Sequence, residues 1–355
     1  MCDKKIVICL PRCMRLPSGG FKIAYTLANM LVNDGFEVVV AYDTYNNLGE
    51  KTPRFIKYIY GKIITKFRPK WYKLDKKIIK ISALQLDEKY LPDSDYIVAT
   101  SVETALLINA LPKRKGEKIY LIQDFENWNV STEELIKTYE YEMKKIVIST
   151  WLYELVKQYT SHKIFLMPNA ISLDKFYITT PIEERNNESI TFLYATREMK
   201  GVKYTLAVLD KIKKMHPYLN VSAFGVEKRP KDLPDWINYH ENVNQDELRG
   251  IYNSSAIFIC SSIDEGYGLT GAESMACGCC LVTSEYRGVL EYAVDRETAM
   301  MSPVCDVDKM VENVEYLLSH NDYRKKLAQA GNMSIQEKNW DKSYSIFKNI
   351  ITKKE

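Results

Sequence analysis

Short, almost wholly apolar runs alternate along this chain with longer runs of helical period. KIVICL (5–10) reads as a buried strand. GGFKIAYTLANMLVNDG (19–35) follows, with Ile23, Leu27, Met30 and Leu31 on one helical face and Gly35 as the stop. FEVVVAY (36–42) is the next strand. Strand, helix, strand in this order predicts a parallel sheet with a right-handed crossover. Further strands are expected at 96–100, 118–124 and 145–150.

A second series begins after MPNAISLDKF (167–176). ITFLYAT (190–196), LNVSAFG (219–225) and SAIFICSS (255–262) read as strands, and VKYTLAVLDKIKKM (202–215) as a helix. Helices at 306–320, 322–331 and 340–354 close the chain. Residues 179–189, TTPIEERNNES, are polar and aperiodic and read as a linker. The expected architecture is α/β: two Rossmann-like doubly wound domains, 1–177 and 178–338, facing a central cleft. In such sheets ligands sit at the carboxyl ends of the strands.

A length of 355 residues suits two such domains. The net charge of +3 gives no support to whole-surface binding of nucleic acid. One segment departs from the average. Residues 51–80 hold eleven Lys or Arg and one Asp, interleaved with aromatic and aliphatic residues. That mixture suits an anionic membrane surface better than nucleic acid. Lys57, Lys62, Lys66, Arg68, Lys70 and Trp71 are the candidates for such a membrane or acceptor surface. The competing reading is a solvated face whose apolar residues join the core. With no apolar run long enough for a signal peptide or a membrane span, the expected location is cytoplasmic, peripheral at the inner face of the cell membrane.

The eight cysteines, at 2, 9, 13, 260, 277, 279, 280 and 305, lack the paired spacing of a zinc site and are expected as reduced, buried thiols. D-S-D (93–95) and D-V-D (306–308) look like metal-binding pairs. Asp95 more simply precedes a strand, and Asp306 caps a helix. His216 and His240 are expected at the surface.

The densest chemistry lies in DEGYGLTGAESMACGCC (264–280). One reading is structural: Thr270 caps a helix and Glu273 completes a capping box. The other uses the same turn as an anion seat. Gly266 and Gly268 allow close backbone approach, and the amides of Gly268, Leu269 and Thr270 face a diphosphate at the positive end of a helix. Arg197 and Lys200 follow a strand of the same domain and supply cations. Gly19 and Gly20 form a second strand-to-helix turn in the other domain.

The stretch E-G-Y-G-L-T-G-A-E-S-M-A-C-G resembles the E-x7-E signature of family 4 retaining glycosyltransferases, which have the GT-B fold. The Gly-Gly turn, MPNAISLDKF, the Arg197–Lys200–Gly201 turn, GVLEYA (288–293) and NWDKSYSIF extend the resemblance over nearly the whole chain. It implies a nucleotide-diphosphate sugar donor held by the C-terminal domain. Arg197 and Lys200 would hold the diphosphate, Glu273 the ribose and Glu265 the transferred sugar. Gly225 would line the base pocket, and Gly19–Gly20 would close on the phosphates. A glycan or lipid-linked glycan acceptor would enter from the N-terminal domain, onto which the helix at 339–355 crosses back. No metal or other cofactor is implied. The chain departs from the family at Ala170, where many members have Gly, and in lacking a clear match for their N-terminal His. IQDFENW (122–128) resembles a subset that includes bacterial polysaccharide rhamnosyltransferases, and there Asp124 or Glu126 would meet the sugar. dTDP-rhamnose or UDP-hexose is the favoured donor. A nucleotide-sugar epimerase of the same fold and a non-catalytic two-lobed sugar-binding protein are the alternatives. A dehydrogenase is disfavoured, because no G-x-G-x-x-G follows a strand.

Overall fold

The protein is described from a computed structural model over residues 4–352. Cys2 and the last three residues of the expected helix 339–355 lie outside the described residues. The chain forms two compact units. The first runs to Pro168 and takes in the chain again from Tyr344; the second is Asn169–Ser343.

In the first unit the chain runs β1 (Lys5–Leu10), α1 (Gly19–Asn33), β2 (Glu37–Asp43), α2 (Arg54–Phe67), β3 (Ile79–Ala83), β4 (Tyr96–Ala99) and α3 (Val102–Asn109). It continues as β5 (Glu117–Ile122), α4 (Thr132–Tyr139), β6 (Lys144–Val147), α5 (Thr150–Lys157) and β7 (Ile164–Leu166). The strands form one parallel sheet in the order β3-β2-β1-β4-β5-β6-β7. β1 lies inside it, with Ile6 in register with Val38 on one side and Tyr96 on the other. Ile6, Val7, Ile8 and Cys9 are all 0% exposed. Cover on both faces explains why this strand is apolar throughout rather than alternating.

The second unit contains β8 (Ser189–Leu193), α6 (Val202–Met215), β9 (Asn220–Gly225), β10 (Ile237–Glu241), α7 (Gln245–Asn253) and β11 (Ile257–Cys260). Then come α8 (Leu269–Ala276), β12 (Cys280–Ser284), β13 (Met300–Ser302), α9 (Val307–Ser319), α10 (Asn321–Gln336) and α11 (Trp340–Thr352). Its parallel sheet has the order β10-β9-β8-β11-β12-β13. Phe192, Val208, Ile212, Val221, Ile257 and Val314 belong to one core between this sheet and its helices. Each sheet is wound outward in both directions from its first strand. The connections therefore part between β1 and β4, and between β8 and β11, opening a crevice at the carboxyl ends of each pair.

From Tyr344 on, α11 packs within the first unit. Tyr344 Oη donates to Asp34 Oδ2 (2.7 Å), Lys348 Nζ lies 2.8 Å from the same oxygen, and Lys4 Nζ donates to the Ile351 carbonyl (2.8 Å). The Lys348 ammonium, then Tyr344, hold the Asp34 carboxyl below its ordinary range.

Some local expectations hold and others change. The stretch read as a linker is fastened into the second unit: Ile182 is buried, and buried Arg185 donates to the carbonyls of Thr180, Ser255 and Cys277. Arg185 needs several acceptors because a guanidinium carries five donors. Gly19 and Gly20 are the first residues of α1, directly after Ser18, so the strand-to-helix turn lies just before them. As expected, Cys277, Cys279 and Cys280 are buried, with Cys279 Sγ at 3.1 Å from the Tyr252 carbonyl, whereas Cys305 is exposed. Burial pushes the thiols of Cys279 and Cys280 up to about 12. Asp95 Oδ2 accepts the Lys5 amide (2.7 Å), and Asp306 Oδ1 accepts the Lys309 amide (2.9 Å) as the cap of α9. His216 is half-buried rather than at the surface, between Glu315 (2.7 Å) and Glu188 (3.5 Å).

Candidate functional site

In the second unit two loops leave the sheet at the crevice. Residues 194–201 follow β8, and residues 261–268 follow β11. Hydrogen bonds to backbone carbonyls join them: the Ile263 amide donates to Met199 O (2.7 Å), and Ser261 Oγ donates to Gly201 O (2.8 Å). Gly201 has φ +62°, and a Cβ there would lie 1.8 Å from Ser261 O. Only glycine combines this left-handed turn with so close an approach.

Lys200 and Glu265 face each other across the join. Lys200 Nζ lies 2.5 Å from Glu265 Oε2, and the Glu265 side chain is only 12% exposed. Ser262 Oγ donates to the other carboxylate oxygen, and Ser284 Oγ donates to Ser262 O. Glu265 therefore has one oxygen on a cation and one on a hydroxyl, which fixes its direction. Arg197 lies on the same turn as Lys200 and is exposed.

α8 begins at Leu269, directly after Gly268. Thr270 is therefore the second residue of the helix and not its cap, and no side chain caps this helix start. Gly268 adopts φ +90°, and Tyr286 Oη lies 2.0 Å from where a Cβ would stand, so both the dihedral and the space call for glycine. Tyr286 and Tyr292 share a hydrogen bond of 3.0 Å, and Tyr292 Oη donates to Gly268 O (2.9 Å). Burial raises both phenols well above their ordinary range, so both stay neutral donors. Helical geometry leaves the first amides of α8 without an intrahelical acceptor. Leu269 and Thr270 are half-buried at this end.

Glu273, one turn into α8, is 4% exposed. Burial first, and the Glu273 charge second, raise the phenol of Tyr252 well above its ordinary range. Gly225 ends β9 beside Tyr239 and the Tyr194 carbonyl; a Cβ there would meet Tyr239 Oη at 2.5 Å. The rings of Tyr194 and Tyr239 stand edge to face, 6.1 Å apart, and both are half-buried.

The sequence reading did not single out Ser262, Tyr286, Tyr292 or Arg287, which hold this loop in place. Arg287 binds both carboxylate oxygens of Asp264, and a Cβ on Gly288 would sit 2.5 Å from Glu265 O. The loop 287–291 is therefore packed directly on the carboxylate loop. A local sequence signal for this is only the run R-G-V-L-E-Y itself.

The first unit has its own crevice between β1 and β4. Gly20 lies against the Gln123 amide, which a Cβ would meet at 3.2 Å, and Gln123 Nε2 donates to Thr100 O (3.0 Å). Asp124 Oδ1 accepts the Phe125 amide (2.9 Å). Glu126, 9% exposed, accepts the Val102 amide (2.7 Å) and so anchors the start of α3. Asp43 ends β2 at 5% exposure, with Oδ1 on the Tyr45 amide (3.0 Å). Burial raises its carboxyl to about 6, with the nearby Glu103 charge adding to the shift.

The basic segment is not a continuous surface. Lys62, Lys66 and Lys70 are exposed. Lys57 is 1% exposed, with Nζ 3.6 Å over the Tyr45 ring. Arg68 donates to Cys13 O (3.0 Å), and the Trp71 ring packs 5.6 Å from that of Tyr25. Lys57 turns inward on the packed side of α2, whereas Arg68 and Trp71 follow the helix end and are half-buried there. No helix of the described residues is long and apolar enough to cross a membrane.

The chain superposes along its length on several solved structures. A sucrose-phosphate synthase of Thermosynechococcus elongatus gives a TM-score of 0.76 at 14% identity, covering 98% of each chain. TarM of S. aureus, solved with fondaparinux, α-GlcNAc-glycerol and UDP, gives 0.74 at 10% identity, covering 99% of this chain and 100% of that one. A glycosyltransferase of Rickettsia africae gives 0.68 at 15% identity, covering 99% and 98%. Among curated proteins, the uncharacterized glycosyltransferase YqgM of Bacillus subtilis is 22% identical over 200 residues, 54% of this chain and 55% of that protein. An uncharacterized glycosyltransferase of Methanocaldococcus jannaschii is 24% identical over 199 residues, 50% and 51% of the two. The chain thus spans about half the length of the curated relatives it matches. The two parallel sheets with their helices are the GT-B fold, and residues 180–333, which hold the Lys200–Glu265 site, match the family of glycosyl transferases group 1.

Proposed function

We propose that this chain is a retaining glycosyltransferase of the family 4 type, with the donor's diphosphate held where the loops after β8 and β11 meet. One observation carries the reading: a cation, a rigidly held carboxylate and an uncapped helix start converge at the crevice between β8 and β11. Amides and cations at that point match the charge of a diphosphate.

In this reading Arg197, Lys200 and the amides at Gly268, Leu269 and Thr270 take the diphosphate. Glu273 takes the ribose, and the end of β9 at Gly225 faces the base. Glu265 contacts the sugar at the reacting face. The acceptor hydroxyl attacks the anomeric carbon on the face from which the diphosphate departs. The bond from that carbon to the phosphate oxygen breaks, and the hydroxyl proton passes to the leaving diphosphate. The fixed cations and amides stabilise charge as it develops on the leaving group. No metal is needed for that step. Gly19, Gly20 and Asp124 belong to the acceptor-side unit. The favoured donors are dTDP-rhamnose and UDP-hexose, and the acceptor is a glycan or lipid-linked glycan of a cell-surface polysaccharide, met at an anionic membrane surface.

The test is donor binding and turnover. Calorimetry with UDP, dTDP and GDP, followed by incubation with the matching sugar donors and a glycan acceptor, should give one preferred base and an anomer-retaining product by NMR. Donor conversion that needs no acceptor and yields an epimeric nucleotide sugar would replace this reading with the epimerase. Sugar binding without nucleotide binding would replace it with a non-catalytic module.

A further inference from the structure

α2 faces the wrong way for an ordinary surface helix. Its buried side consists of Lys57, Gly61, Ile64 and Thr65, while Phe55 (66% exposed), Ile59 (54%), Ile63 (52%) and Phe67 (59%) stand in solvent. Those four recur every fourth residue, so they form one row along a single helical face. A soluble surface helix normally has the opposite arrangement.

The inward side shows that this orientation is fixed. Gly61 lies so close to the ends of β2 and β3 that a Cβ would meet Thr44 Oγ1 at 2.4 Å and Ser82 Oγ at 2.6 Å. No larger residue fits that approach. Lys57 lies over the Tyr45 ring, and Lys80 Nζ donates to the carbonyls of Lys66 (3.1 Å) and Arg68 (2.7 Å) at the helix end. Turning α2 over would bury four bulky side chains in a space shaped for glycine and threonine.

The surroundings select what covers the row. Eight of the eleven Lys and Arg of residues 51–80 are exposed, and the one acidic residue there, Asp75, is half-buried, accepting the Lys77 amide. Lys62 and Lys66 each precede a member of the row and share its exposed side. A second copy would bring the same cations against these. Nucleic acid would leave Ile59 and Ile63, at the centre of the row, unused. Anionic phosphates over an acyl layer satisfy both features at once.

We propose that α2 is an interfacial membrane anchor, with Phe55, Ile59, Ile63 and Phe67 entering the acyl boundary of an anionic bilayer and Lys62 and Lys66 reaching its phosphates. This deepens the membrane part of the proposed function and is independent of the donor chemistry. Long lysine side chains place their charge at the phosphate level while their stems stay in the apolar layer.

Flotation of the full chain with mixed phosphatidylserine–phosphatidylcholine vesicles, against pure phosphatidylcholine, tests it. The parent should partition at least roughly tenfold more strongly to the anionic vesicles, and less as salt rises. Ile59→Ser with Ile63→Ser should weaken that partition by roughly tenfold or more. Lys62→Gln with Lys66→Gln should weaken it by a similar factor and flatten its salt dependence. Both double variants should keep the parent's melting temperature and nucleotide diphosphate affinity, since these positions are exposed and lie in the other unit from Lys200. No flotation of the parent, or flotation that survives Ile59→Ser/Ile63→Ser, overturns the anchor. So does a parent dimer in sedimentation that this double variant turns into monomer. Loss of nucleotide binding with vesicle binding intact would count against the donor site alone.

Discussion

Lys200 Nζ and Glu265 Oε2 stand 2.5 Å apart, bridging two loops that leave neighbouring parallel strands. An anion that takes Lys200 must compete with this carboxylate. The two side chains should therefore act in opposite senses on donor affinity. Lys200→Ala should weaken UDP or dTDP binding by about 10- to 100-fold, the range of a charge-assisted hydrogen bond. Glu265→Ala should leave nucleotide affinity equal or tighter while transfer falls by about 100-fold or more. Calorimetry and a product assay on the same preparations read both. Equal nucleotide affinity in Lys200→Ala would show that the diphosphate sits elsewhere.

Gly201 and Gly35 separate two costs of a side chain. Both have positive φ, at +62° and +88°, yet a Cβ on Gly35 meets nothing within 4 Å, whereas on Gly201 it strikes Ser261 O. Gly35→Ala should cost about 1–2 kcal/mol from backbone strain alone. Gly201→Ala should cost about 3–5 kcal/mol and abolish nucleotide binding, because the loops must separate. Denaturant titration of both variants gives the comparison. Similar losses would mean that the join of the two loops is soft.

Asp43 makes stability fall toward neutral pH. Its carboxyl is raised to about 6, mainly by burial. The protonated form is thus favoured in the folded state. That contribution is fully present below the unfolded carboxylate value of about 3.9 and is lost as pH rises through about 6. Asp43→Asn should therefore be more stable than the parent at pH 7–8 by about 1–3 kcal/mol, with the gap closing below about pH 4. Parallel denaturation curves across that range decide it; a gap independent of pH would show that the carboxyl does not titrate there.

The D-V-D run at 306–308 should prove structural. Asp306 caps α9 through the Lys309 amide. Asp306→Ala should cost about 1 kcal/mol of stability and leave transfer unchanged. Chelator should likewise leave transfer unchanged. Inhibition by chelator, restored by a divalent cation, would refute the metal-free reaction.

What could be read in the sequence followed burial. β1, β2, β8 and β11 are covered on both faces, so their apolar runs stand out. β3, β7 and β10 are short or lie at sheet edges, with Ile79 48% exposed, and their mixed residues gave no clear period. α2 is periodic, but its stripe points outward, and the face it packs with, Lys57, Gly61 and Thr65, looks like a solvent face on paper. At the site, Lys200, Glu265 and Gly268 were visible as charge and glycine at the ends of strands. Ser262, Tyr286 and Tyr292 were not. Their role depends on which strands become neighbours, and no local spacing encodes that. T-x-x-E at Thr270 matches a capping box, but the cap position lies two residues earlier, at the left-handed turn of Gly268, which is packed against the Tyr286 hydroxyl and is not marked by any local spacing.

The clasp of Tyr344 and Lys348 on Asp34 has a consequence for biosynthesis. One unit is assembled from both early and late parts of the polypeptide, with the whole second unit between them. On the ribosome α1 therefore waits for its partner until the second unit has been translated. The early lobe is held incomplete until α11 has been made.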